Sequence, residues 1–121
     1  MIKLLRLSCA VTLSLATTAG VAAAQGVERL RCTFGRGQDA MVLEIVHDRS
    51  TGRAVVVGNA GMADLQVVVG TAARTFLEHL PTGAVQTTTV AHDGSAVHSR
   101  NTYLTGIGLS PSQRTGDCAK N

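Results

Sequence analysis

The chain has 121 residues, with 11 Lys and Arg against 8 Asp and Glu, 45% hydrophobic and 2% aromatic residues, three cysteines and no tryptophan. That length holds one small domain and excludes a multidomain enzyme. The formal charge of +3 would suit nucleic acid or an anionic membrane, but it depends on the leader and on scattered arginines.

Met1 to Ala24 has the layout of an export signal. Lys3 and Arg6 give a positive start, Leu7 to Ala16 a short apolar stretch, and Ala22, Ala23 and Ala24 the small residues at which a signal peptidase cuts. A retained anchor is the competing reading. Ser8, Thr12, Ser14, Thr17, Thr18 and Gly20 dilute the run below the roughly 20 mainly apolar residues of a spanning helix. Cleavage after Ala24 removes Cys9 and leaves residues 25–121 as a single domain, periplasmic or secreted, with no integral membrane span after processing.

Without Lys3 and Arg6 the balance is 9 basic against 8 acidic residues. The basic residues are dispersed among acids, and Phe34, Phe76 and Tyr103 are the only aromatic residues, too few for the stacking platforms of a nucleic-acid binder. No nucleic-acid partner is expected. Cys32 and Cys118 remain as an even pair in an exported chain, which reads as a disulfide tying the two ends together.

Val and Thr make up 23 of the residues after Ala24, against seven Leu. Branching at Cβ favours pleated strands over helices, so the chain reads as all-β. Val27 to Phe34 alternates Leu30, Cys32 and Phe34 against Arg29, Arg31 and Thr33, the period of a sheet with one wet face. Ala40 to His47 alternates likewise, and Asp48 to Gly52 turns it back onto Ala54 to Gly58 as a hairpin. Asn59 to Asp64 reads as a loop, and the uninterrupted valines of Leu65 to Gly70 suggest burial on both faces.

Arg74 to Leu80 fits a strand or a helical face and is assigned as a strand; Pro81, Thr82 and Gly83 end it in a turn. Ala84 to Ala91 is a clear strand. His92, Asp93 and Gly94 form the strongest turn signal, with Ser95 to Leu104 as the returning strand. Gly106, Gly108, Pro111 and Gly116 mark the tail from Thr105 as an ordered loop pinned by Cys118. Six or seven short strands make an antiparallel meander that hides its edges by closing into a small barrel or sandwich. Its interior, filled by Val, Leu, Ile and Met, is expected to leave little volume for a large ligand pocket.

Chemistry is sparse. His47-Asp48 and His92-Asp93 are adjacent in sequence, but successive strand side chains point to opposite faces and cannot make a triad's orienting bond. Ser95 or Ser99 with His98 and Asp93 lacks a nucleophile turn such as GxSxG. His92 and His98 match no standard metal spacing, and Glu28, Glu44 and Glu78 lie on separate strands. The four histidines read as turn or exposed-strand residues. No enzyme activity, cofactor or metal is expected.

Arg31 to Gly37 (RCTFGRG) and Gly94 to Cys118, containing Ser99-Arg100, Tyr103, Pro111-Ser112-Gln113 and Gly116-Asp117-Cys118, together resemble a group of uncharacterised small exported bacterial proteins. These carry a Cys on the first strand and an SR-x-T…PSQ-x-x-G-x-C tail. The likeness implies a periplasmic β-structure without an assigned activity. Inhibitors of C-type lysozyme are similar in size, export, β-barrel form and first-strand-to-tail disulfide. Their SGxxY motif is shadowed by Gly94 to His98, with Ser and Gly reversed and His98 in place of Tyr.

The expected role is therefore a non-enzymatic domain that is structural or binds a protein or envelope component. Ser99, Arg100, Asn101, Tyr103, Ser112 and Gln113 are its candidate contact residues, with inhibition of a cell-wall hydrolase as the alternative.

Overall fold

The computed structural model describes residues 26–121; the leader assigned to residues 1–24 lies outside them. Eight strands follow in chain order: β1 (Val27–Phe34), β2 (Met41–Asp48), β3 (Arg53–Gly58), β4 (Gly61–Val69), β5 (Ala73–His79), β6 (Val85–Ala91), β7 (Ser95–Leu104) and β8 (Gly108–Lys120). Each pairs antiparallel with the next, and β8 returns to β1, closing the barrel. The meander is thus a barrel rather than a sandwich. Closure gives every strand two neighbours over at least part of its length, which limits the exposed sheet edge.

The period-2 pattern decides what lies inside. Leu30, Cys32 and Phe34 from β1, Ile45 and His47 from β2, Ala54 and Val56 from β3, and Phe76 from β5 point inward and are buried. Thr88 and Val90 from β6, Ala96 and His98 from β7, and Cys118 from β8 complete the interior. Phe34 and Phe76 are the largest side chains fully removed from water, each contributing roughly 1.5 to 3 kcal/mol of hydrophobic stabilisation.

The seam between β1 and β8 runs from Leu30↔Lys120 to Phe34↔Gly116, with Cys32 directly opposite Cys118 and bonded to it. No turn links these strands, so the disulfide is the covalent closure of the barrel. Gly116 has a steric role in the seam: a Cβ there would drive into the Thr33 carbonyl oxygen and stand 2.8 Å from Phe34 Cδ1. Gly116→Ala is expected to cost about 1 to 3 kcal/mol, read as a shift of the urea midpoint at unchanged slope; an unshifted midpoint would show that the seam can open to admit a methyl group.

Three readings change. The tail is not a loop but β8, the longest strand at 13 residues. Gly106 and Gly108 shape its turn, while Pro111, opposite Asn101, lies where β8 pairs only with β7, a strand edge on which a missing N–H is tolerated. The loop expected over Asn59 to Asp64 contracts to a two-residue turn, because β4 already begins at Gly61. Finally, the valine run of β4 is not buried on both faces, since Val68 and Val69 are largely exposed. The segment left open between strand and helix is a strand, β5.

Turns at one end share a device. Ser50 donates from its backbone N–H and its Oγ to Asp48 Oδ1, at 3.0 and 2.6 Å. Ser95 does the same to Asp93 Oδ1. The Ser50 and Ser95 hydrogen bonds hold both carboxyls below the usual carboxylate range. Gly94 has φ of +90° and its carbonyl accepts the Cys118 N–H at 2.7 Å, so this turn is also tied to the closing strand.

Candidate functional site

The two ends of the barrel differ. At the end where β1 starts and β8 finishes, the interior opens into a cavity of about 620 Å³ lined by Glu28, His47, Arg49, Val67, Val69, Arg74, Val90 and Lys120 among others. The expectation of little spare volume fails here. Aliphatic side chains fill the middle of the barrel around Phe34, Ile45 and Phe76, but near the mouth the inward positions are taken by polar residues that gather on Glu28 and leave the space beside them open.

Glu28 is in phase with Leu30 and therefore faces inward from β1, opposite His47 of β2. Arg74 faces inward from β5, in phase with Phe76. Strands β1 and β5 stand on opposite sides of an eight-stranded ring, so Arg74 meets Glu28 across the lumen. Arg74 Nη1 donates to Glu28 Oε2 at 2.6 Å and to His47 Nδ1 at 2.9 Å. A guanidinium has no acceptor, so His47 Nδ1 must be unprotonated and Nε2 carries the ring proton.

Arg49 and Lys120 approach the same carboxylate, at 3.1 and 3.4 Å. Glu28 Oε1 is buried without a hydrogen bond; the Lys120 ammonium beside it supplies charge rather than an aligned donor. The Arg74 hydrogen bond, with the charges of Arg74 and Arg49, brings the Glu28 pKa down to about 2 against the opposing effect of burial. Burial, followed by the Arg74 charge, pushes the His47 pKa below its ordinary value. The His47 ring stands edge-on to Phe76, 5.5 Å between centroids, and the Arg74 guanidinium lies 5.5 Å above the same phenyl ring.

His98 forms a second interior polar pair deeper in the barrel. Its Nδ1 is 2.9 Å from Thr88 Oγ1, its ring packs 5.6 Å from Phe34, and burial lowers its pKa. His47 and His98 are therefore interior residues, not the turn or exposed-strand residues expected of them; His79 and His92 are exposed, bonding to Gln66 Oε1 and the Thr71 carbonyl. Ser95 is engaged with Asp93 while His98 bonds Thr88, so these three residues do not form a relay. Among the described residues, no three His, Cys, Asp or Glu side chains are grouped so as to hold a metal ion.

The opposite end carries the residues singled out in the sequence. β6 pairs with β7 only as far as Gln86↔Arg100, and β8 pairs with β1 only from Gly116 onward. Between those limits β7 and β8 pair with each other alone, a two-stranded ribbon projecting past the wall. Ser99 lies opposite Gln113, Asn101 opposite Pro111 and Tyr103 opposite Leu109 on one face. Arg100 and Ser112 lie opposite one another on the other face.

The six candidates therefore share the β7–β8 hairpin, split four and two between its faces, with Asn101 and Tyr103 in the free ribbon and Ser99 and Arg100 still paired with β6. The sequence pointed to Tyr103 but not to the rest of the ribbon's apolar tip: Tyr103, Ile107 and Leu109 are each about 70% exposed or more, and Leu104 41%. Residues 101–113 contain no charge, and Arg100 and Arg114 bracket them. That pattern was visible, but with the tail read as a loop it could not be placed opposite Tyr103.

Compared with known proteins, no family model, curated protein or solved structure matches this chain significantly. Among the described residues no helix is long and apolar enough to cross a membrane. The fold and the two barrel ends are therefore the basis for assigning a role.

Proposed function

We propose that the protein is a non-enzymatic, exported binding domain that engages a protein of the cell envelope through the β7–β8 ribbon. The observation that carries this reading is the uncharged, apolar ribbon tip held clear of the barrel and rimmed by Arg100 and Arg114. Contiguous exposed apolar surface on a small domain marks an interaction site. Tyrosine and arginine are the residue types that anchor protein interfaces, and the ribbon's unpaired backbone edges offer a further strand-pairing mode. The complementary partner presents an apolar cleft with an acidic rim.

The test is capture from envelope extract with the oxidised domain and with the Tyr103→Ser/Leu109→Ser variant. Both side chains are exposed, so the double change should alter folding stability by no more than about 0.5 kcal/mol per site. A protein retained by the wild type, lost with this variant and kept by Arg49→Ala at the other end supports the ribbon as the binding element. Equal capture by all three forms, or ribbon-dependent binding to protein-free lipid vesicles instead, contradicts it.

A projecting apolar ribbon also suits insertion into the substrate cleft of a cell-wall hydrolase, and inhibition of a lysozyme-type enzyme is the second reading. Ser95 bonds to Asp93 and His98 is buried, so such inhibition would work through the ribbon and not through Gly94 to His98. Slower clearing of a cell suspension by C-type lysozyme, reversed by Tyr103→Ser/Leu109→Ser, is the expected result; unchanged clearing at micromolar protein removes the reading.

A further inference from the structure

We infer that the open mouth of the barrel binds an amphiphilic monocarboxylate, its alkyl chain against Val67, Val69 and Val90 and its carboxylate between Arg49 and Lys120. The site is at the other end from the ribbon and does not depend on the role proposed for it.

Strand phase places aliphatic side chains at the mouth. Val67 and Val69 alternate with the outward Val68 and line the cavity together with Val90. Val69 is nevertheless 70% exposed, because the mouth is open above it. Inward-facing aliphatic surface left in contact with water is what an alkyl chain would cover. The cavity of about 620 Å³ falls within the usual range of small-molecule sites, roughly 300 to 1,000 Å³. Its rings are the imidazoles of His47 and His92 alone, so a flexible chain suits it better than a stacked aryl group.

Charged side chains surround the same opening. Arg49, Arg74 and Lys120 face Glu28 and Asp93 around the mouth, so these five side chains leave one positive charge in excess. One negative charge on the ligand balances it, and a dianion would not. Glu28 is enclosed by cations and is no site for a ligand cation; Asp93 is committed to Ser95.

The cations divide into two kinds. Arg74, with its side chain 11% exposed, is fixed by Glu28 and His47 and provides the floor. Arg49 and Lys120 are 60% and 79% exposed. They can therefore turn from Glu28 to an incoming carboxylate while the Glu28–Arg74 pair stays intact. That carboxylate would gain charge-assisted hydrogen bonds at the rim, with the chain directed inward.

Calorimetric titration of the oxidised domain with octanoate, 1-octanol, acetate and octylammonium tests both the apolar and the charged contacts. Octanoate is expected to bind roughly tenfold more tightly than 1-octanol, with acetate and octylammonium producing no saturable signal. Arg49→Ala/Lys120→Ala should reduce octanoate affinity to that of 1-octanol and leave the alcohol unchanged. Val69→Asn should weaken both, and Tyr103→Ser/Leu109→Ser should alter neither. Absence of octanoate binding at millimolar concentration, equal binding of octylammonium, saturable acetate binding as tight as octanoate, or indifference to Arg49→Ala/Lys120→Ala would each overturn the inference.

Discussion

Reduction of the Cys32–Cys118 bond is expected to lower the unfolding free energy by about 4 to 5 kcal/mol on the chain-entropy model, given a separation of 86 residues. That is comparable with the entire stability of a domain this small. The position of the bond explains why so much depends on it. Seven of the eight strand pairings join neighbours in sequence, which a short turn brings together; the β1–β8 pairing alone must close nearly the whole chain. The loop-closure entropy of that step is what a covalent link removes from the unfolded ensemble. Urea unfolding of the oxidised and reduced forms measures the effect, and Cys32→Ala/Cys118→Ala should behave like the reduced form with an added packing loss at Cys32, which is fully buried. Coincident curves would mean that strand pairing alone keeps the ring shut.

Acid should weaken the fold in two stages. The unfolded-state histidines titrate near 6.5, whereas His47 and His98, buried in the barrel, have folded pKa values below it. As pH falls through 6.5 the unfolded chain therefore takes up protons that the folded one refuses, and stability begins to drop. Glu28 then adds the second stage. Its folded pKa is about 2 against an ordinary 4.5, so its contribution is present above 4.5 and is lost as pH falls from there toward 2. The size of that contribution is about 3 kcal/mol.

Arg74→Met should remove most of that stabilisation at neutral pH, costing about 3 kcal/mol by leaving Glu28 with only its two exposed partners. It should also flatten the acid stage, because the Glu28 carboxyl would then titrate closer to its unfolded value. Denaturant unfolding across this pH range reads both effects. An Arg74→Met protein with wild-type stability and an unchanged acid profile would show that the pair contributes no net free energy.

What the sequence made legible was set by local pattern. Val27 to Phe34 and Ser95 to Leu104 are found with the bounds expected of them, since alternation and the Asp93-Gly94 turn act over a few residues. The Cys32–Cys118 pairing was legible by elimination once the leader was set aside. β8 was not, because Gly106, Gly108, Pro111 and Gly116 are strand breakers by propensity, and only the structure shows why each is tolerated. The first two shape the turn, Pro111 sits on a ribbon edge, and Gly116 is required by the close approach of Phe34.

The mouth was hidden for a different reason. Glu28, His47 and Arg74 lie far apart in the chain, and Glu28 meets Arg74 only across a closed lumen. The one available sign was a charged residue in phase with core residues, Glu28 with Leu30 and Arg74 with Phe76. Glu28 and Arg74 each stand second in their strand, where a charged residue is also the pattern of an exposed strand end.

Both proposed binding roles depend on a closed barrel with a ribbon projecting from one end, and hydrogen exchange measured residue by residue tests that arrangement most directly. The amides of Leu30 to Phe34 and Cys118, in the seam, should exchange only through global unfolding, while the ribbon amides between Asn101 and Gln113 that point away from the partner strand should exchange at nearly the rate of an open chain. Rapid exchange along the seam, or uniform protection through the ribbon, would contradict it.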